Sequence, residues 1–132
     1  MHKLVLLEEI LCVCRLDPLS ALPGWAIQNN HFFSVTKTGD ELSVVCPESC
    51  VPPDARYEGG FRCLKIEGPL DFSLVGVLAP IADLLAGERI SIFTISTYDT
   101  DYIMVRQSSL DSALRALETA GYTVVRDKGE HQ

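Results

Sequence analysis

Side chains that form hydrogen bonds are crowded into one short turn of the sequence, Thr97-Tyr98-Asp99-Thr100-Asp101. The turn joins two stretches rich in β-branched and apolar residues, which predicts a hairpin of two strands. Hairpin turns usually contain glycine, as Asn-Gly or Asp-Gly, and this one has none. Two interpretations stay open. The Asp and Thr side chains could stabilise the turn by bonding their own backbone, or they could bind a small ligand.

An earlier segment, Phe33–Val45, shows a related pattern. Shifting it by 61 positions places Thr36 on Thr97 and Asp40 on Asp101, and two aliphatic residues that follow also match. Both copies come after a strand that contains an aromatic residue. We therefore interpret the two segments as a degenerate internal repeat.

The repeat predicts two modules, residues 1–60 and residues 61–132. The boundary falls in Pro47–Gly60, which holds three prolines and a Gly-Gly pair. From Phe61 onward the patterns follow the order strand, helix, strand, strand, helix, strand, which is the ferredoxin-like plan. We expect an α+β protein of two such modules, with short helices in a degenerate first module. Lys3–Leu16 is either a tight hairpin or one long bulged strand.

The first helix of the second module has an uncertain start. Ser73 is a candidate N-cap and Gly87 fits the C′ position. Pro80 would be costly in a helix interior, so the first helical residue is expected near Val77. A second helix is expected to begin at Ser108 or Ser109 and to end at Gly121.

Composition excludes several classes of protein. Eleven basic residues face eighteen acidic ones, for a net charge of −7, and the basic residues are scattered, so nucleic acid is not an expected partner. No apolar run is long enough to span a bilayer, and two glutamates interrupt the apolar start that a signal peptide would need. We expect a cytoplasmic protein that does not bind membranes.

The five cysteines do not follow a known redox or metal pattern. An odd number argues against a secreted disulfide framework. Cys12 and Cys14 lie two apart in an apolar strand and are expected to pack as small hydrophobic residues. Cys46 and Cys50 have neither thioredoxin nor zinc-knuckle spacing. We predict no metal site, no cofactor and, since no nucleophile stands with a base, no catalytic site.

Two segments carry a resemblance to a known family. GPLDFSLVGVL, from Gly68, and ISIFTISTYDTDYIMV, from Ile90, resemble small tandem ACT-domain proteins, and TGDELSVV, from Thr38, resembles their first domain. Relatives of that family include ACT-type cytosolic arginine sensors and the regulatory domains of aspartate kinases. The resemblance implies ferredoxin-like ACT modules without catalysis of their own, which bind an amino acid between modules.

The resemblance also implies site residues. The ligand loop of the family and its facing hairpin fall, in this sequence, on Phe72, Ser73, Leu74, Val75, Gly76, Ser96, Thr97, Tyr98 and Asp101. An amino acid carries a carboxylate and an ammonium group. Backbone N–H groups at a helix start suit the carboxylate, and an acidic side chain such as Asp101 suits the ammonium group.

The sequence thus predicts a regulatory amino-acid sensor that forms a homodimer and contacts a regulated partner protein. An alternative is an interaction module without a ligand, which dimerises through exposed sheet edges. A thermal-shift response to a free amino acid would separate the two.

Overall fold

The computed structural model describes residues 2–27, 32–71 and 73–127. It divides into two units, which are described one at a time. The composite unit consists of residues 2–8 and 62–127, and the inserted unit consists of residues 9–61. No helix in the described residues has the length and apolar character that a bilayer-spanning segment needs.

The composite unit packs two helices on a sheet with strand order β6-β7-β5-β1-β8. Its core is aliphatic and unites the inner faces of the strands with those of both helices. The elements are β1 (Lys3–Leu6), the second half of β5 (Tyr57–Ile66), α2 (Leu78–Gly87), β6 (Ile92–Ser96), β7 (Asp101–Arg106), α3 (Leu110–Thr119) and β8 (Thr123–Arg126). From β5 onward this is the expected β-α-β-β-α-β order, and the α+β, ferredoxin-like prediction is confirmed.

The N-terminal strand β1 lies between β5 and β8. It pairs antiparallel with β5 and parallel with β8. Leu4 and Leu6 alternate with exposed Lys3 and half-buried Val5, so that both leucines enter the core. The strand does not pair with the one that follows it in the chain, and the hairpin alternative for Lys3–Leu16 is wrong. The sequence grouped residues 1–60 together, whereas residues 2–8 belong to the unit formed by the C-terminal half.

The inserted unit is an antiparallel sheet with strand order β3-β4-β2-β5 and little helix. Its core is small and rich in sulfur: Cys12, Cys14, Ala26, Leu42, Val44 and Cys46. The elements are β2 (Leu11–Leu16), the four-residue helix α1 (Gly24–Ile27), β3 (Ser34–Lys37), β4 (Leu42–Pro47), a single 3-10 turn (Glu48–Cys50) and the first half of β5. The strand predicted from His31 begins later, and His31 lies outside the described residues.

Strand β5 begins earlier than the sequence predicted. The sequence places residues 57–60 in the boundary segment Pro47–Gly60, yet they are strand, and the change of unit falls between Phe61 and Arg62. Gly59 and Gly60 lie inside the strand. Gly60 has φ of 74° and donates its N–H to the Glu48 carboxylate at 2.7 Å. A positive φ fits a local break in the ladder, where pairing with β2 shifts its register.

Helix α2 begins at Leu78, so the expected start near Val77 is confirmed. Pro80 stands in the first turn, where its missing N–H has no partner to lose. Ser73 is not the N-cap. Val77 occupies that position and makes no side-chain cap bond. Ser73 belongs to a separate turn, in which its N–H bonds the Asp71 carboxylate at 2.9 Å.

Helices α2 and α3 end in the same backbone motif, but a different residue type occupies its left-handed position. After α2, the Arg89 N–H bonds Ala86 O and the Ile90 N–H bonds Leu85 O, which is a Schellman arrangement. Its left-handed residue is Arg89, at φ of 60°, rather than the predicted Gly87, which is still helical. After α3 the left-handed residue is Gly121, as expected, at φ of 105°.

The two hairpins repeat each other, but in a different register from the one predicted. In each, the backbone N–H and the hydroxyl of a threonine bond the carbonyl three residues later: Thr38 to Glu41, and Thr97 to Thr100. Each turn follows a strand pair that closes at equivalent positions, Lys37–Leu42 and Ser96–Asp101. The structural shift is therefore 59 residues instead of 61.

We expect Leu4→Ala to lower the free energy of unfolding by about 3 kcal/mol, because it opens a cavity beneath α2 and α3 in a fully buried position. Val5→Ala, on the opposite face of the same strand, should cost about 1 kcal/mol. Urea unfolding of both variants measures the difference. Equal losses would contradict the placement of β1 in this core.

We expect Arg89→Gly to raise the free energy of unfolding by about 1 kcal/mol, since glycine adopts the left-handed conformation without the steric cost that arginine has. The Arg89 side chain is exposed, and so its loss removes little packing. Gly121→Ala is the opposite change at the equivalent position and should lower stability by about 1 kcal/mol. Thermal unfolding of both variants tests the pair, and a destabilised Arg89→Gly would refute it.

Candidate functional site

The candidate site lies in the composite unit, where the loop after β5 meets the turn between β6 and β7. Two hydrogen bonds, here called the loop–turn bonds, join them. The Thr100 hydroxyl donates to Ile66 O at 2.6 Å, and the Leu70 N–H donates to Asp99 O at 2.7 Å. Thr100 is the only polar side chain in the described part of the chain that is classed as buried. A buried, satisfied hydroxyl fixes its partners firmly, because water cannot replace it.

Close packing reinforces the loop–turn bonds. A Cβ added at Gly68 would lie 3.2 Å from Asp99 O and 3.3 Å from the Thr100 Cβ. Those distances are shorter than ordinary van der Waals contact, so the backbone approach is one that glycine permits.

The turn itself is stabilised by its threonines. Thr97 donates its N–H and its hydroxyl to Thr100 O, at 2.8 and 3.1 Å, and accepts the Thr100 N–H at 3.3 Å. Beyond the turn, the Ser96 hydroxyl donates to the Asp101 carboxylate across the last strand pair. The turn-stabilising interpretation therefore holds for Thr97 and Thr100. Asp101 belongs to strand β7 rather than to the turn.

An open cavity of about 630 Å³, here called the hairpin cavity, lies between the loop, the start of α2 and the turn. Its lining residues are Leu70, Asp71, Leu74, Gly76, Val77, Leu78, Ala79, Ser96, Thr97, Tyr98, Asp99, Thr100 and Asp101. Three are acidic, and no described lining residue is lysine or arginine. The walls therefore favour a ligand group that carries positive charge.

Most of the predicted site residues come together around the hairpin cavity. Six of the nine line it: Leu74, Gly76, Ser96, Thr97, Tyr98 and Asp101. Ser73 and Val75 are exposed in the same loop but do not line the cavity, and Phe72 lies outside the described residues. Gly76 has φ of 78°, which lets the loop turn into α2 without a side chain.

Sequence reasoning missed the residues that hold the site together. Thr100 was placed in the turn without a partner, and Gly68 was read only as part of a motif. The acidic Asp71 was also overlooked, although its carboxylate and carbonyl organise the loop by accepting the N–H groups of Ser73 and Leu74. An Asp two residues before a Ser is an Asx-turn signal that could have identified this role.

A second cluster of reactive side chains lies in the core of the inserted unit. The sulfur atoms of Cys12, Cys14 and Cys46 all lie within 4.8 Å of one another. Burial raises the pKa of the Cys14 thiol to about 11. The hydrogen bond between the Cys12 and Cys46 side chains raises the pKa of Cys12 and lowers the pKa of Cys46. Cys12 and Cys14 pack in the apolar core of this unit, as expected, and Cys46 joins them.

Family models match both parts of the chain. A family model of the ACT domain matches residues 56–119, and a model described as an N-terminal domain matches residues 9–54. A search of the curated proteins found none that matches. An Agobacterium tumefaciens protein of known crystal structure is 34% identical, with 99% of this chain and 97% of that chain covered, at a TM-score of 0.90.

Two more distant structures share the fold. A Vibrio cholerae protein of unknown function is 21% identical over 89% of this chain and 88% of its own, with a TM-score of 0.69. The regulatory subunit of aspartate kinase from Thermus thermophilus, in its ligand-free form, is 12% identical over 86% and 93%, with a TM-score of 0.59. Similarity at this level of identity shows the fold alone.

We expect Thr100→Val to lower the free energy of unfolding by about 1.5 kcal/mol, because the isosteric side chain cannot donate to Ile66 O. The matched control is Thr94→Val at an exposed position of strand β6, which should change stability by less than about 0.5 kcal/mol. Chemical denaturation measures both. A Thr100→Val variant as stable as the control would show that the hydroxyl does not hold the turn.

Proposed function

The chain belongs to the ACT-domain family, related to the regulatory domains of aspartate kinases, and we propose that it binds a small amino acid, or a similar ligand, in the hairpin cavity. The family is one of regulatory modules that bind small molecules. The observation that carries the proposal is the convergence of Asp71, Asp99 and Asp101 on one cavity that also receives the start of a helix.

The two ends of the cavity suit the two charges of an amino acid. At the start of α2, the N–H groups of Leu78 and Ala79 belong to the first turn and have no partner within the helix. They could donate to an α-carboxylate, which the helix dipole also favours. Asp101, held in place by the Ser96 hydroxyl, could accept an ammonium group.

Tyr98 supplies an aromatic side chain to the proposed site. Its side chain is 80% exposed at the tip of the turn and lines the cavity. An aromatic ring there can cover the ligand side chain, or contact a cationic head group through its face. Ser73 and Val75, in the loop between β5 and α2, complete the proposed set together with Phe72, which lies outside the described residues.

We propose a regulatory and non-catalytic role in the cytoplasm that needs no cofactor. Ligand binding would change the stability of a homodimer or the contact with a regulated partner protein. The acidic cavity supports a ligand with a free ammonium group over a simple anion, because three carboxylates oppose a ligand without positive charge.

The test is a thermal-shift screen of the full chain against the twenty amino acids. A ligand at a hundred times its dissociation constant should add about 2.7 kcal/mol of stability, which is a rise of several degrees in Tm for a chain of this size. We expect Asp101→Asn to abolish that rise because it removes the charge but keeps an acceptor for Ser96.

The control for this experiment is Asp83→Asn, an exposed carboxylate on α2 that does not line the cavity. It should keep the full ligand response. If Asp101→Asn responds like Asp83→Asn, the ligand binds elsewhere. A screen without any response, together with a stable dimer, would favour the alternative of an interaction module that pairs through exposed edges such as β6, which pairs with β7 alone.

A further inference from the structure

Three of the five cysteines form one buried group in the inserted unit. The Cys12 sulfur lies 3.7 Å from that of Cys14 and 4.0 Å from that of Cys46, and the three sulfurs lie within 4.8 Å of one another. All three residues are at most 1% exposed. The cluster belongs to neither the hairpin cavity nor any step of amino-acid binding.

Paired strands set these positions. Cys12 and Cys14 project from the same face of β2, and Cys46 stands opposite Cys12 in the adjacent strand β4. Since the backbone ladder fixes all three Cα atoms, the group is pre-organised rather than assembled from flexible loops.

We propose that Cys12, Cys14 and Cys46 form a three-coordinate thiolate site for one soft, thiophilic metal ion of the Cu(I) class. A metal–sulfur distance of about 2.3 Å places three sulfurs in a trigonal plane about 4.0 Å apart, and two of the sulfur separations are already 3.7 and 4.0 Å. Among the described residues, no fourth Cys, His, Asp or Glu joins the group. This donor set favours a soft ion that accepts three sulfurs over Zn²⁺, which prefers four ligands.

A second cavity lies beside the cluster. It measures about 300 Å³, lies within the inserted unit and has Cys14 in its wall. Its charged lining residues are Arg15, Arg56, Asp17 and Asp54, so that positive and negative side chains are equal in number. The lining therefore presents no excess of positive charge that would oppose entry of a cation.

Packing alone does not require sulfur at position 46. By the 59-residue shift that superimposes the two hairpins, Cys46 corresponds to Val105, which is fully buried in the composite unit. An aliphatic side chain thus fits the equivalent strand position in the related module. The same correspondence indicates that Cys46→Val is compatible with the fold.

The binding reaction balances without an oxidant. The metal ion forms bonds to sulfur, each thiol that becomes a thiolate ligand releases one proton to solvent, and no electron is transferred. Affinity should therefore rise with pH.

The experiment titrates Cu(I) into the reduced full chain, without oxygen, in competition with a chromophoric Cu(I) chelator. We expect one ion per chain to leave the chelator. Cys12→Val and Cys46→Val should each lower the affinity for Cu(I) more than about a hundredfold. That is more than the loss of a residue that only hydrogen-bonds to a metal ligand would cost. Cys63→Val is the matched control, since it removes an equally buried thiol from the composite unit, and it should bind like the unmodified chain.

X-ray absorption of the loaded, unmodified chain keeps the proposal testable even if a variant does not fold. Three sulfur neighbours at about 2.3 Å would support it. Two or four sulfur neighbours, failure to withdraw Cu(I) from the chelator, or equal losses in Cys46→Val and Cys63→Val would each overturn it. So would a chain that only forms a Cys12–Cys46 disulfide on oxidation and has no affinity for the metal when reduced.

Discussion

The hydrogen bond from the Thr100 hydroxyl to Ile66 O is the interaction on which the hairpin cavity depends. Ile66 ends strand β5, and Thr100 ends a turn that is 34 residues away in sequence. With the bond from Leu70 to Asp99, it joins the two walls of the cavity before any ligand is present. Pre-organisation of this kind lowers the ordering cost of binding, because the loop and the turn are already immobilised.

In this arrangement, neighbouring residues of one turn have separate structural and ligand-binding roles. Thr97 and Thr100 satisfy the backbone, so that the turn needs no glycine, and the residues between and beyond them can carry ligand-directed side chains. The first hairpin keeps the threonine, at Thr38, but has Leu42 in the position of Asp101. Leu42 is buried in the core of the inserted unit. The same turn thus survives in both modules, while the polar strand pair exists in only one.

Local patterns predicted the parts of the fold that local forces decide. The start signal at Ser108 or Ser109 and the end signal at Gly121 predicted helix α3, and the β-branched and apolar stretches on both sides of the turn predicted the β6–β7 hairpin. Strand pairing was less accessible, because an alternating strand such as β1 carries no mark of its partners. The repeat shift was wrong by two residues because it aligned identical residue types, Thr36 with Thr97. The hydrogen bonds of the two turns, which a sequence does not show, make Thr38 equivalent to Thr97. For the site, the resemblance indicated six residues that line the cavity. The buried hydrogen bond of Thr100 was not predictable, because its acceptor, Ile66 O, is distant in the sequence.

The difference between the two cores follows from their size. The composite unit has two ten-residue helices to cover its sheet with leucine and isoleucine, whereas the described residues of the inserted unit contain one four-residue α-helix. A small core gains less from burial, and such domains commonly depend on an additional cross-link or metal ion. In the inserted unit, thiols occupy the positions where β2 and β4 face each other, which is where a single bound ion would join the two strands. A metal ion there would supply stabilisation that the short helix cannot. It would stabilise the inserted unit, in which Lys37 and Leu42 stand in place of Ser96 and Asp101.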